Sequence, residues 1–178
     1  MNDRAARDEA AHAEVERAAE DARGAVVLRI PTAEAMRELG IRLAGLLRAG
    51  DLLVLSGDLG AGKTTLTQGI GEGLKVRGPI TSPTFVIARV HPSLGDGPAL
   101  VHVDAYRLGG FAELDDLDLD ASTTESVTVV EWGAGLAEGL SEDRLEVVII
   151  RDDEETEERT VKVAGIGARW AGLPAALG

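Results

Sequence analysis

The chain has no cysteine, which excludes disulfides, zinc–thiolate sites and thiol nucleophiles. Three histidines, His12, His91 and His102, are too few for a histidine-rich metal site. No apolar run approaches the ~18 residues that a membrane helix needs. Residues 1–24, "MNDRAARDEAAHAEVERAAEDARG", lack the apolar centre of a secretory signal. The expected location is therefore the cytoplasm, with no membrane partner. Positive charge is also scarce: 18 Lys and Arg stand against 31 Asp and Glu, a net charge of −13. Because neutralising phosphates drives nucleic-acid binding, so acidic a chain is a poor autonomous binder of RNA. Any role in an RNA pathway would run through a protein partner.

What is present suits one domain. The 178 residues are 44% hydrophobic, enough for a full core. Residues 1–24 favour helix but carry no apolar stripe, so they are expected as a flexible or helical extension outside a domain spanning 25–178. "AVVLRI" (25–30) reads as a strand. A helix follows, with Thr32 as its N-cap. Met36, Leu39, Leu43, Leu46 and Leu47 recur at helical spacing, and Gly50 is its expected stop. "DLLVLSG" (51–57) is continuously apolar, the pattern of a strand buried on both faces. Residues 63–74 form the next helix, in which Gly69, Gly71 and Gly73 are read as close packing against the sheet. "TFVIARVH" (84–91) and "ALVHVDAYRL" (99–108) flank turn residues and predict a hairpin. "FAELDDLDLD" (111–120) predicts a short acidic helix and turn, "SVTVVEWG" (126–133) a strand, and "AGLAEGL" a short helix. "LEVVIIRDD" and "RTVKVAG" predict a second hairpin, with "EETEE" as its solvated tip. The last ten residues read as short helix or coil. The sum is an α/β, P-loop NTPase-like single domain with a mixed central sheet of about seven strands flanked by helices.

The chemistry is concentrated in "GDLGAGKTT", Gly57 to Thr65. It satisfies G-x-x-x-x-G-K-[ST], with a buried strand before it and a helix after it. Gly57, Gly60 and Gly62 let the backbone turn so that N–H groups point inward at a phosphate. The candidate nucleotide-binding residues are Asp58, Leu59, Gly60, Ala61, Gly62, Lys63, Thr64 and Thr65. The helix N-terminus adds positive potential there. Lys63 reaches the terminal phosphates, and the Thr64 hydroxyl is offered to Mg²⁺. Two carboxylates stand at the ends of apolar strands, Asp104 and Glu131. Either can hold Mg²⁺, and the other can position or deprotonate an attacking water. GTPases usually read guanine with Asn-Lys-x-Asp. The chain's single asparagine is Asn2, so ATP is the expected nucleotide. His102 is read as a satisfied strand histidine.

Four motifs in order, "GDLGAGKTT", "TSPTFVI" (81–87), "HVDAYRL" (102–108) and "VVEWG" (129–133), resemble the bacterial tRNA threonylcarbamoyladenosine biosynthesis ATPase family, TsaE, also called YjeE. The resemblance covers roughly residues 25–165. It implies a small Mg²⁺-dependent ATPase of weak intrinsic activity. It also implies action with the threonylcarbamoyl transferase subunits of the TsaD and TsaB families, with tRNA met only through that complex. By resemblance, Lys63 and Thr64 are the loop lysine and metal-binding threonine. Glu131 is the second metal ligand, and Asp104 the acid of a His-x-Asp-x-Tyr-Arg motif. Ser82 and Thr84 belong to a switch-like segment, and Tyr106, Arg107 and Trp132 to the coupling machinery. Two alternative readings differ in class: a small-molecule P-loop kinase, against which the acidic, arginine-poor span before Glu131 counts, and a non-catalytic nucleotide-gated interaction module.

Overall fold

Strand β2 (Leu52–Gly57) is buried at every position, and the rest of the domain is arranged around it. The computed structural model describes residues 3–21, 24–81, 88–105, 124–131 and 141–177. In chain order, the elements are α1 (Asp3–Asp21), β1 (Val26–Ile30), α2 (Ala33–Ala44), β2, α3 (Lys63–Leu74), β3 (Ala88–His91), β4 (Ala99–Asp104), β5 (Ser126–Glu131), β6 (Arg144–Ile150) and β7 (Arg159–Ile166). A 3₁₀ turn (Ala168–Trp170) and a short α4 (Leu173–Leu177) close the chain. The predicted helices around 111–120 and 134–140 lie outside the described residues.

The sheet has seven strands in the order β1-β7-β6-β2-β5-β4-β3. β6, β2, β5 and β4 run parallel, while β7, β1 and β3 are antiparallel additions at the two sides. Both predicted hairpins are present, β3–β4 and β6–β7. Leu53 and Leu55 of β2 join Val127, Val129, Leu145, Val147 and Ile149 in one core cluster with α2 and α3. The alternate residues Leu52, Val54, Val130 and Val148 are buried as well, so the parallel strands are covered on both faces. That explains their unbroken apolar runs.

Two local expectations are corrected. Helix α2 begins as read, with Thr32 Oγ1 accepting from the Ala35 N–H at 3.1 Å. It stops at Ala44, capped by Gly45, and not at Gly50. Leu46 and Leu47 continue the apolar spacing but lie in a turn. The Leu46 carbonyl accepts from Arg169 Nη2 at 2.7 Å, a tertiary bond that takes the place of the next helical one. Gly50, at φ 94°, instead donates its N–H to Ser126 O and leads into β2. The glycines of α3 do mark close packing, but Gly69 and Gly73 face α2 and Gly71 faces Ile80 and Val76, not the sheet. A Cβ on Gly40 would lie 2.8 Å from Gly69 Cα, one on Gly73 would lie 2.5 Å from Ala44 Cβ, and one on Gly69 would run into the Arg37 carbonyl. Gly69→Ala is therefore expected to destabilise the fold by about 2–3 kcal/mol, because two backbones must part. The check is a thermal midpoint lowered by roughly 4–12 °C. An unchanged midpoint would mean the helices pack less tightly than described.

Residues 3–21 take the helical form of the expected extension, as α1. It lies against β2 and β6, with Val15 buried to 6% exposure. One valine in an Ala- and Glu-rich segment makes no stripe, so the sequence pattern did not show the contact. No helix among the described residues is long and apolar enough to cross a membrane.

Candidate functional site

The carboxyl ends of parallel strands are where open α/β sheets bind ligands, at the point where connections depart to opposite sides. Here that point is β2, which pairs with β5 on one side and β6 on the other. Gly57 closes β2, and Lys63 opens α3. The intervening turn needs left-handed backbone at Gly60 (φ 79°) and Gly62 (φ 116°), which only glycine adopts without strain. A Cβ on Gly57 would lie 3.0 Å from Ile149 O, so the loop starts pressed against β6.

Lys63 is buried to 6% exposure. Its ammonium donates to Gly57 O and, at 3.1 Å, to Asp58 O. Burial lowers its pKa to about 8, while the carboxylates of Glu131, Asp58 and Asp104 pull it back up. The loop lysine and both strand-end acids thus share one electrostatic site. Thr64 is half-buried in the first turn of α3, and Thr65 follows it. Thr67 Oγ1 donates to Lys63 O at 2.8 Å and firms that turn. Leu59 projects outward, 84% exposed.

Asp104 and Glu131 end adjacent strands in direct register, and the Ala105 N–H donates to Glu131 O at 2.9 Å. Asp104 is half-buried. Glu131 is 3% exposed, and a carboxylate so buried requires partners. His102 Nε2–H donates to Glu131 Oε1 at 2.9 Å, and the ring is itself wholly buried. The expectation of a satisfied strand histidine therefore holds only at Nε2, whose partner is the candidate metal ligand, while Nδ1 is buried without a hydrogen-bond partner among the described residues.

A cleft on the loop's other side was not visible in the sequence. Thr32, Ala33 and Met36 of the α2 entry, Gly60 to Gly62, Thr65, Glu157 and Arg159 line it. Arg159 Nε donates to Ala61 O at 3.1 Å, tying the β6–β7 hairpin to the loop. Thr32 and Met36 look like a cap and a core residue, and Glu157 like part of a solvated tip, so none carried a signal. Ser82, Thr84, Tyr106, Arg107 and Trp132 lie outside the described residues. Gln68 Nε2 donates to Ile80 O at 2.9 Å.

A glycine-rich loop joining a central parallel strand to a helix, with acids at neighbouring strand ends, gives the molecule a P-loop NTPase-like fold. Within that class, the chain belongs to the threonylcarbamoyl adenosine biosynthesis protein TsaE family, whose model matches residues 30–161. A Streptomyces coelicolor tRNA threonylcarbamoyladenosine biosynthesis protein TsaE is 70% identical over 139 residues, 76% of this chain and 94% of that protein. The Mycobacterium bovis protein of the same name is 53% identical over 129 residues, covering 68% of this chain and 77% of the relative. The crystal structure of Bacillus subtilis YdiB superposes with a TM-score of 0.66 at 33% identity, covering 85% of this chain and 92% of that one. The family's role in tRNA threonylcarbamoyladenosine biosynthesis therefore applies to this chain.

Proposed function

We propose that the chain is the ATP-binding and ATP-hydrolysing subunit for tRNA threonylcarbamoyladenosine formation, acting in the cytoplasm through transferase subunits of the TsaD and TsaB families and meeting tRNA only within that complex. The observation that carries the ATPase reading is the convergence of Lys63, Asp104 and Glu131 at the carboxyl ends of β2, β4 and β5. A pure binding module has no use for a second carboxylate beside the loop.

The loop's backbone N–H groups and the α3 N-terminus would cradle the phosphates. Lys63 would exchange the carbonyls of Gly57 and Asp58 for phosphate oxygens. The cleft lined by Thr32, Met36 and Arg159 beside the loop would receive the nucleoside. The donor set fits Mg²⁺: a threonine hydroxyl at the start of α3 and a buried carboxylate with one oxygen engaged by His102. Thr64 and Glu131 would hold the ion, which neutralises phosphate charge. This sparse set suits Mg²⁺, which keeps several waters and binds through one or two carboxylates together with phosphates. His102 orients Glu131, leaving Oε2 for the ion. Asp104, less buried and next to Glu131, would orient the attacking water and take its proton.

Asp104→Ala should leave ATP affinity within about threefold and slow phosphate release about a hundredfold, because its work belongs to the transition state. The same variant should fail to support multiple-turnover tRNA modification, counted by mass spectrometry of the modified nucleoside. Full modification by the variant, or phosphate transfer to a metabolite by the free protein at ordinary kinase rates, would remove this reading.

A further inference from the structure

Helix α1 precedes the family match, which begins at residue 30, yet it touches the phosphate loop. His12 Nδ1 lies 3.1 and 3.2 Å from the two carboxylate oxygens of Asp58, the loop residue after Gly57. Val15, one turn further on, is buried. Glu16 lies 3.5 Å from His12 Nε2. Hydrogen bonding and charge from Asp58 raise the His12 pKa, and Glu16 adds to the effect. We propose that α1 is a cis-acting latch on the phosphate loop, which lowers nucleotide affinity while docked and is released when a nucleoside triphosphate binds. This inference rests on the loop being a nucleotide site.

Three features carry it. Among the described residues of the helix, Val15 is the buried hydrophobic anchor and the His12–Asp58 contact is an exposed pair, and such pairs contribute little by themselves. The helix can therefore be displaced. The helix is acidic, and Glu16 lies 3.5 Å from the His12 ring that meets Asp58, so docking sets a carboxylate near a loop built to receive polyphosphate. Like charges that close oppose each other. Finally, the latch grips the loop whose carbonyls hold the Lys63 ammonium, and that loop must rearrange for phosphate to replace them. Coupling between two binding events is reciprocal: if the docked helix weakens nucleotide binding, bound nucleotide weakens helix docking by the same factor.

The test uses the full chain. ATP affinity with Mg²⁺ is measured by calorimetry for wild type, His12→Ala, Val15→Asp and Lys63→Ala. Amide hydrogen exchange of residues 3–21 is followed with and without ATP. The expected results are affinity about fivefold or more tighter in Val15→Asp, the lower end of typical coupling factors, a smaller gain in His12→Ala, and faster α1 exchange when wild type binds ATP. In Lys63→Ala, ATP should leave α1 exchange unchanged. Unaltered or weaker affinity in both α1 variants, or α1 exchange that slows or stays constant as wild type binds ATP, overturns the latch while leaving the nucleotide site intact. No ATP binding in any form overturns the site assignment itself, and the latch with it.

Discussion

Replacing Lys63 with alanine is expected to weaken ATP binding about a hundredfold or more and to leave the fold standing. Charge-assisted bonds to phosphate are among the strongest a side chain makes, and losing them costs about 3 kcal/mol. The loop backbone would persist, because Gly60 and Gly62 set its path and β2 is anchored on both sides. Removing the ammonium also removes a cation that burial already disfavours, as its pKa of about 8 shows. The thermal midpoint should therefore move by less than about 4 °C. Calorimetric titration and a melting curve on the same preparation decide the matter. Unchanged affinity would detach the loop from nucleotide binding, and a collapsed melting transition would make the lysine a structural residue.

The second large effect is expected at Glu131. Glu131→Ala and Thr64→Ala should each weaken Mg²⁺-dependent binding and slow hydrolysis about a hundredfold or more, the scale of losing one electrostatic contact to the transition state. Acting on one ion, the two should combine less than additively. Glu131→Ala has a further consequence that Thr64→Ala lacks. It leaves the His102 Nε2–H buried without the acceptor that now lies at 2.9 Å, at a cost of about 1–3 kcal/mol in stability. Glu131→Gln retains an acceptor for His102 and isolates the loss of charge. It should melt close to wild type and still fail in hydrolysis. Strict additivity of Thr64→Ala and Glu131→Ala would place Glu131 away from the ion.

The central strands were legible because a strand buried on both faces must be apolar throughout, and β2 is. The loop was legible because its chemistry fixes the spacing of Gly57, Gly62, Lys63 and Thr64. The α2 terminus was misread since Leu46 and Leu47 keep helical spacing, and only the Arg169 bond to Leu46 O, from far along the chain, reveals the turn. The α3 glycines announced a close approach without saying to what, because packing on a helix and packing on a sheet leave the same small residues. Thr32, Met36, Glu157 and Arg159 line the cleft beside the loop from two separate segments, and folding alone brings them together. The neighbouring ends of β4 and β5 could be expected as acidic strand termini, but their pairing of Asp104 with Glu131 is a matter of register.

The most direct test of the account is phosphate release from ATP by the wild-type chain, alone and with the transferase subunits, alongside counting of the threonylcarbamoyl nucleoside formed on tRNA. The account predicts slow release by the free chain, faster release in the complex, and repeated rounds of modification that stop when Asp104→Ala replaces the wild type. Release that ignores the transferase subunits, together with sustained modification by the Asp104 variant, would contradict it.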